Sequence, residues 1–114
     1  SVRGAQTFYP TGPGEKAILE ESKKFAEIVQ EELVKGIADG TDRTALGKSG
    51  VLMLKNPPSP VVIIECGFLS NPEEASLLER EEYQRKLAKC IYDGILIYTD
   101  RQPRTPMKTV DSRG

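Results

Sequence analysis

The run Val61-Val62-Ile63-Ile64, closed by Glu65-Cys66-Gly67, constrains the fold of this chain more than any other stretch. Four consecutive β-branched residues read as a strand apolar on both faces, the pattern of an inner strand in a sheet covered by helices. The run ends at a carboxylate, and Gly67 lets the chain turn at once. Asn71 then has the character of a helix N-cap, with Pro72 at the first helical position and Glu74 three residues on, as in a capping box. Ligands of open α/β sheets sit in the crevice outside the carboxyl ends of the strands, so Glu65 occupies the place of a working acid. On position alone, a Glu just after an apolar strand is more often a solvated loop residue or an ion-pair partner.

Other elements follow from spacing. Residues 4–9 form a short strand, and the Thr11-Gly12-Pro13-Gly14 cluster breaks it before a helix from about Glu15 to Lys35. Ile18, Ser22, Phe25, Val29 and Leu33 recur there at helical spacing, and the intervening Glu and Lys residues line a solvated face. Gly36 and Gly40 lead into a polar loop that runs to Gly50. A strand is expected over Val51–Leu54, stopped by Asn56-Pro57-Pro58-Ser59-Pro60 because proline removes backbone donors. A short helix after Asn71 reaches about Leu78, and a longer one runs from about Glu81 to Tyr98 with Tyr83, Leu87, Ile91 and Ile95 spaced by four. The tail 100–114 is basic and poor in large apolar residues, which predicts disorder. The order of elements predicts an α/β fold, with helices packed on a mostly parallel or mixed sheet.

The words around Glu65 resemble the zinc-dependent N-acetylmuramoyl-L-alanine amidases. In that family a strand ends in Glu-x-Gly-Phe-(Leu/Ile)-Ser-Asn before a Pro-acidic helix start, written here Glu65-Cys66-Gly67-Phe68-Leu69-Ser70-Asn71-Pro72-Glu73-Glu74. Gly4-Ala5-Gln6-Thr7-Phe8-Tyr9 resembles the strand after the family's second metal-binding histidine. Val51-Leu52-Met53-Leu54-Lys55-Asn56 resembles the strand before the catalytic one. Tyr83-Gln84 and Ile91-Tyr92-Asp93-Gly94-Ile95-Leu96 resemble the closing helix. The similarity runs over about residues 3 to 99, and its details point to the sporulation-specific branch that acts on spore-cortex peptidoglycan.

The resemblance implies hydrolysis of the amide between N-acetylmuramic acid and L-alanine, with Glu65 as general acid/base. It also implies export of the parent protein to the cell envelope or spore cortex. Lys55 and Asn56, expected to end the neighbouring strand on the same side of the sheet, are candidates for substrate contact or a solvated loop pair. Phe68 and Leu69 either wall the cleft or pack in the core, and Ser70 with Asn71 fixes the turn.

Composition sets limits on that implication. The chain has no histidine, whereas a catalytic zinc site commonly needs three protein ligands and an open position. The family draws its His, Glu and His ligands from a part that precedes the segment matched here. Residues 1–99 therefore read as the C-terminal portion of an amidase domain whose metal half is absent, and no zinc is expected on this chain alone. The alternative is a non-catalytic remnant that binds muropeptide or a partner protein. Cys66 and Cys90 are too far apart for a local Cys-x-x-Cys clip, and a thiolate beside Glu65 would lack an imidazole to activate it. The formal charge of −1 suggests no nucleic-acid partner, and no stretch approaches the roughly 20 apolar residues of a membrane span. A sheet missing half its strands would expose an edge that invites self-association.

Overall fold

The computed structural model describes residues 4–67 and 70–102. Strand β1 (Gln6–Pro10) is followed by helix α1 (Lys16–Ile37), strand β2 (Leu46–Lys48) and a turn of 3-10 helix at Leu52–Leu54. Strand β3 (Ile63–Glu65) and helices α2 (Pro72–Leu78) and α3 (Glu81–Asp100) complete the order. The sheet runs β2-β1-β3, with β1 parallel to β2 and antiparallel to β3. This is the expected α/β class, with a mixed sheet.

Helices α1 and α3 pack on each other, and α1 packs on β1. Ala5, Val29, Leu33, Leu87 and Cys90 form the core between them, with Ile64, Cys66, Leu78 and Tyr83 packed around it. The α3 side of that core corrects the expected stripe. Its buried residues are Leu87, Cys90, Gly94 and Tyr98, while Ile95 is 41% exposed. A spacing of four overshoots a helical turn by about 40° per step, so three steps from Tyr83 carry Ile95 off the buried face. Gly94 takes its place because the helices nearly touch there: a Cβ on Gly94 would lie 3.0 Å from the Val29 Cα.

Two strand expectations are also corrected. Val51–Leu54 is no strand: Leu54 N–H donates to the Val51 carbonyl at 3.0 Å and Lys55 N–H to the Leu52 carbonyl at 3.2 Å, which closes a 3-10 turn. Positive φ angles at Gly50 (78°) and Asn56 (47°) bend the chain on either side of it. The second strand is instead Leu46-Gly47-Lys48, inside the segment expected to be a polar loop. A Cβ on Gly47 would sit 2.4 Å from Thr11 Cγ2, so the exposed threonine side chain would have to shift to admit one.

The β-branched run is an edge strand, not an inner one. Only Ile63–Glu65 pairs, each residue is half-buried, and β1 is its sole partner among the described residues. Helices cover one face of the sheet, not two. Among the described residues no helix lies across the face that carries Gln6 and Phe8; Phe8 takes its cover from Lys48, whose ammonium lies 4.5 Å from the ring centroid. No helix among the described residues is long and apolar enough to cross a membrane. Helix α3 continues through Asp100, so the first residue of the expected disordered tail is helical; residues 103–114 lie outside the described residues.

Candidate active site

Glu65 is the last residue of β3 and pairs with Gln6, the first residue of β1. Directly opposed residues of an antiparallel pair share a face. Ile64 and Thr7 therefore point towards α1, and Glu65 and Gln6 point to the face no helix covers. Gln6 is itself buried: Nε2 donates to the Thr44 carbonyl at 2.8 Å, and Oε1 accepts from the Arg43 guanidinium at 3.3 Å. The segment after α1 is thus tied against the strand end that carries the acid. Glu65 is half-buried, and its carboxylate has no hydrogen bond or ion pair among the described residues.

Alternation sends Cys66 the other way, into contact with the core. Burial pushes its thiol pKa up, as it does for Cys90, so both remain protonated at neutral pH. A thiol kept protonated and turned away from Glu65 is no nucleophile. Beyond it, Gly67 fits under α2, where a Cβ would lie 3.0 Å from Leu78 Cδ1. Asn71 caps α2 as expected: its Oδ1 accepts from Glu73 N–H at 3.0 Å and from Glu74 N–H at 3.4 Å. The start of β3 is held by Ser22, whose Oγ accepts from Val61 N–H at 3.0 Å. That bond explains a polar residue within the buried stripe of α1.

The other candidates do not gather around Glu65. Lys55 and Asn56 follow the 3-10 turn rather than a strand, and Asn56 N–H donates to the Pro13 carbonyl at 2.8 Å, beyond the far end of β1. Glu65 faces Gln6 at the near end, and a five-residue strand spans about 17 Å. Phe68 and Leu69 lie outside the described residues. Among the described residues, no three His, Cys, Asp or Glu side chains are arranged to hold a metal ion. The donor set of the described residues therefore does not fit a catalytic zinc.

Of three buried polar residues around the site, Gln6 and Gln30 carried no sequence signal that set them apart, and Glu74 was marked only as a capping-box residue. Gln30 lies one residue from Val29 on the buried side of α1. Its Nε2 donates to the Ala5 carbonyl at 3.0 Å and its Oε1 accepts from Thr7 N–H at 2.7 Å.

Residues 1–96 match the profile of the N-acetylmuramoyl-L-alanine amidase family. The chain is 43% identical over 95 residues to the germination-specific N-acetylmuramoyl-L-alanine amidase of Bacillus subtilis, a match that covers 83% of this chain and 37% of that protein. It is 33% identical over 82 residues to the amidase AmiC of Neisseria meningitidis, covering 72% of this chain and 19% of that one. Among solved structures it resembles the CwlD amidase of Clostridioides difficile in complex with the GerS lipoprotein. There the TM-score is 0.80 at 39% identity, over 90% of this chain and 49% of that chain. The chain thus spans from about a fifth to about a half of the length of these relatives.

Proposed function

We propose, for a chain that belongs to the N-acetylmuramoyl-L-alanine amidase family, that it supplies the acid/base strand of a peptidoglycan-hydrolysing domain. The bond cleaved is the amide between N-acetylmuramic acid and L-alanine, in the cell envelope or spore cortex. Residues 1–99 form the C-terminal portion of that domain in this reading. Family enzymes use zinc, which when bound supplies a Lewis acid and an activated water; the ligands for it come from outside this chain.

One observation carries the assignment. Glu65 stands at a strand end, half-buried, on the uncovered face of the sheet, with no ion-pair partner among the described residues. A structural carboxylate in that setting would be paired. An unpaired one is available to take a proton from attacking water and hand it to the departing amine. Cys66 and Gly67 let the chain turn away behind it, and Gln6 closes the strand side, so the carboxylate faces out from a fixed backbone.

The test is Glu65→Gln in the complete amidase domain that carries this chain. The change is nearly isosteric and leaves every described contact intact, so the melting temperature should hold. Release of L-alanine-linked peptide from peptidoglycan should fall by roughly 10²–10⁴-fold, the contribution of a positioned acid/base. Near-normal release would remove Glu65 from the mechanism.

A further inference from the structure

Glu74 lies in the first turn of α2 and is only 3% exposed. A buried carboxylate is costly unless hydrogen bonds or charges compensate it. Its Oε1 accepts from the backbone N–H of Gly4, seventy residues away in sequence. Gly4 sits two residues before Gln6, the partner of Glu65, and has φ +95°. A side chain there would be strained, and its Cβ would lie 3.1 Å from Thr41 Oγ1. Thr41 is in turn bonded through both its N–H and its hydroxyl to Asp39. The backbone at Gly4 is therefore confined from two sides.

These contacts close a ring around the candidate acid. The chain runs from Glu65 through residues 66–71 to the capped first turn of α2. The Glu74 carboxylate crosses to Gly4, β1 leads on to Gln6, and the strand ladder returns to Glu65. Removing the Glu74–Gly4 bond opens the ring at a point that touches neither Glu65 nor Gln6. Tyr83 stands alongside with a buried hydroxyl that has no hydrogen-bond partner among the described residues. Burial first, then the nearby Glu74 charge, push its pKa up.

We propose that Glu74 is a positioning residue for Glu65: as an acceptor for Gly4 N–H it latches the start of β1 to α2 and so fixes the strand end from which the acid projects. The proposal rests on the acid/base reading of Glu65. Misplacing a reacting group by about 1 Å can cost on the order of 10²-fold in rate.

The test uses three variants of the complete amidase domain, with Glu65→Gln as the reference for loss of the acid. Glu74→Gln keeps a carbonyl acceptor at the same reach and should hold kcat within about threefold of the parent. Glu74→Asp keeps the charge but draws the acceptor back by one methylene, and kcat should fall about 10- to 100-fold with KM little changed. Glu74→Leu removes the acceptor and should do the same while Gly4 amide exchange with deuterium accelerates at least about tenfold. If the leucine variant does not fold, the Asp-against-Gln comparison decides. A normal kcat in Glu74→Asp, or Glu74→Gln as impaired as Glu74→Asp, would overturn the latch. So would a loss expressed in KM alone. Failure of the acid/base reading has a separate mark: Glu65→Gln would then turn over normally whatever the Gly4 exchange shows.

Discussion

Replacing Gln30 with methionine should destabilise the domain by about 2–6 kcal/mol, far more than a surface change of the same size. Strand β2 pairs only with Phe8, Tyr9 and Pro10, so among the described residues the same edge of β1 has no strand beside Ala5 and Thr7. The Gln30 amide fills that gap with one donated and one accepted bond, at 3.0 Å to the Ala5 carbonyl and 2.7 Å from Thr7 N–H. All three residues are at most 4% exposed, so water cannot replace the lost partner. Each buried backbone group left unsatisfied costs about 1–3 kcal/mol, and methionine orphans two while keeping the length and apolar stem of glutamine. Set against a total stability of roughly 5–15 kcal/mol, the loss should be plain in urea unfolding of the complete domain, as a lower midpoint at unchanged slope. Gln30→Glu offers an internal check. Its carboxylate can accept from Thr7 but repels the Ala5 carbonyl, and only the protonated acid can donate. Its deficit relative to the parent at the same pH should shrink as pH falls. A methionine variant within about 0.5 kcal/mol of the parent would show that the side-chain bridge contributes nothing net.

Gly94→Ala should lower stability even though alanine favours a helix by about 1 kcal/mol, because its Cβ would press on the Val29 backbone at 3.0 Å and overpacking costs about 1–3 kcal/mol. An alanine variant more stable than the parent would mean that α1 and α3 separate freely. Tyr98 stacks on Phe25, donates to Glu21 Oε1 at 3.0 Å, and has its pKa pushed up to about 12, first by burial and then by that bond. A raised folded pKa means that its contribution is intact below the ordinary tyrosine value near 10 and is lost as pH rises through about 12. Phenolate absorbance should therefore show a late alkaline component near pH 12 that Tyr98→Phe removes; an unchanged late component in that variant would refute it. The 114-residue chain on its own should self-associate through the free edge of β3, eluting as more than a monomer in size-exclusion chromatography. A dilute monomer with one sharp melting transition would show instead that these residues are self-sufficient.

Long periodic elements were legible in the sequence and short or side-chain-made ones were not. The 22 residues of α1 carry enough apolar repeats for the stripe to survive its polar interruptions, and Asn71-Pro72 marks the start of α2 by chemistry alone. Leu46-Gly47-Lys48 has one apolar residue and a glycine, and becomes a strand because β1 offers it an edge. Val51–Leu54 has strand composition but lies between two positive-φ residues, so local backbone geometry overrode propensity. The strand-end placement of Glu65 was legible because a carboxylate closing an apolar run is conspicuous. Gln30 and Gln6 were not, and Glu74 was legible only as a capping-box residue, since only the fold shows that their partners are backbone groups distant in sequence.

Those contacts also decide which side chain faces the Gln6 side of the sheet. Strand β3 pairs over only three residues, and a slip of one residue would turn Cys66 to the uncovered face and bury Glu65 in the core. Three ladder pairs are a thin defence against such a slip. Ser22 fixes the segment at Val61 before the strand begins, and Asn71 fixes it again where α2 starts. A slipped strand would have to stretch one connection and compress the other, against a serine bond on one side and a capped helix on the other. Meanwhile Gln30 holds the partner strand at Ala5 and Thr7, the latter directly opposite Ile64. The short strand is therefore registered by its ends and by its partner more than by its own ladder. An acid in that setting keeps its face, while the thiol beside it stays in the core.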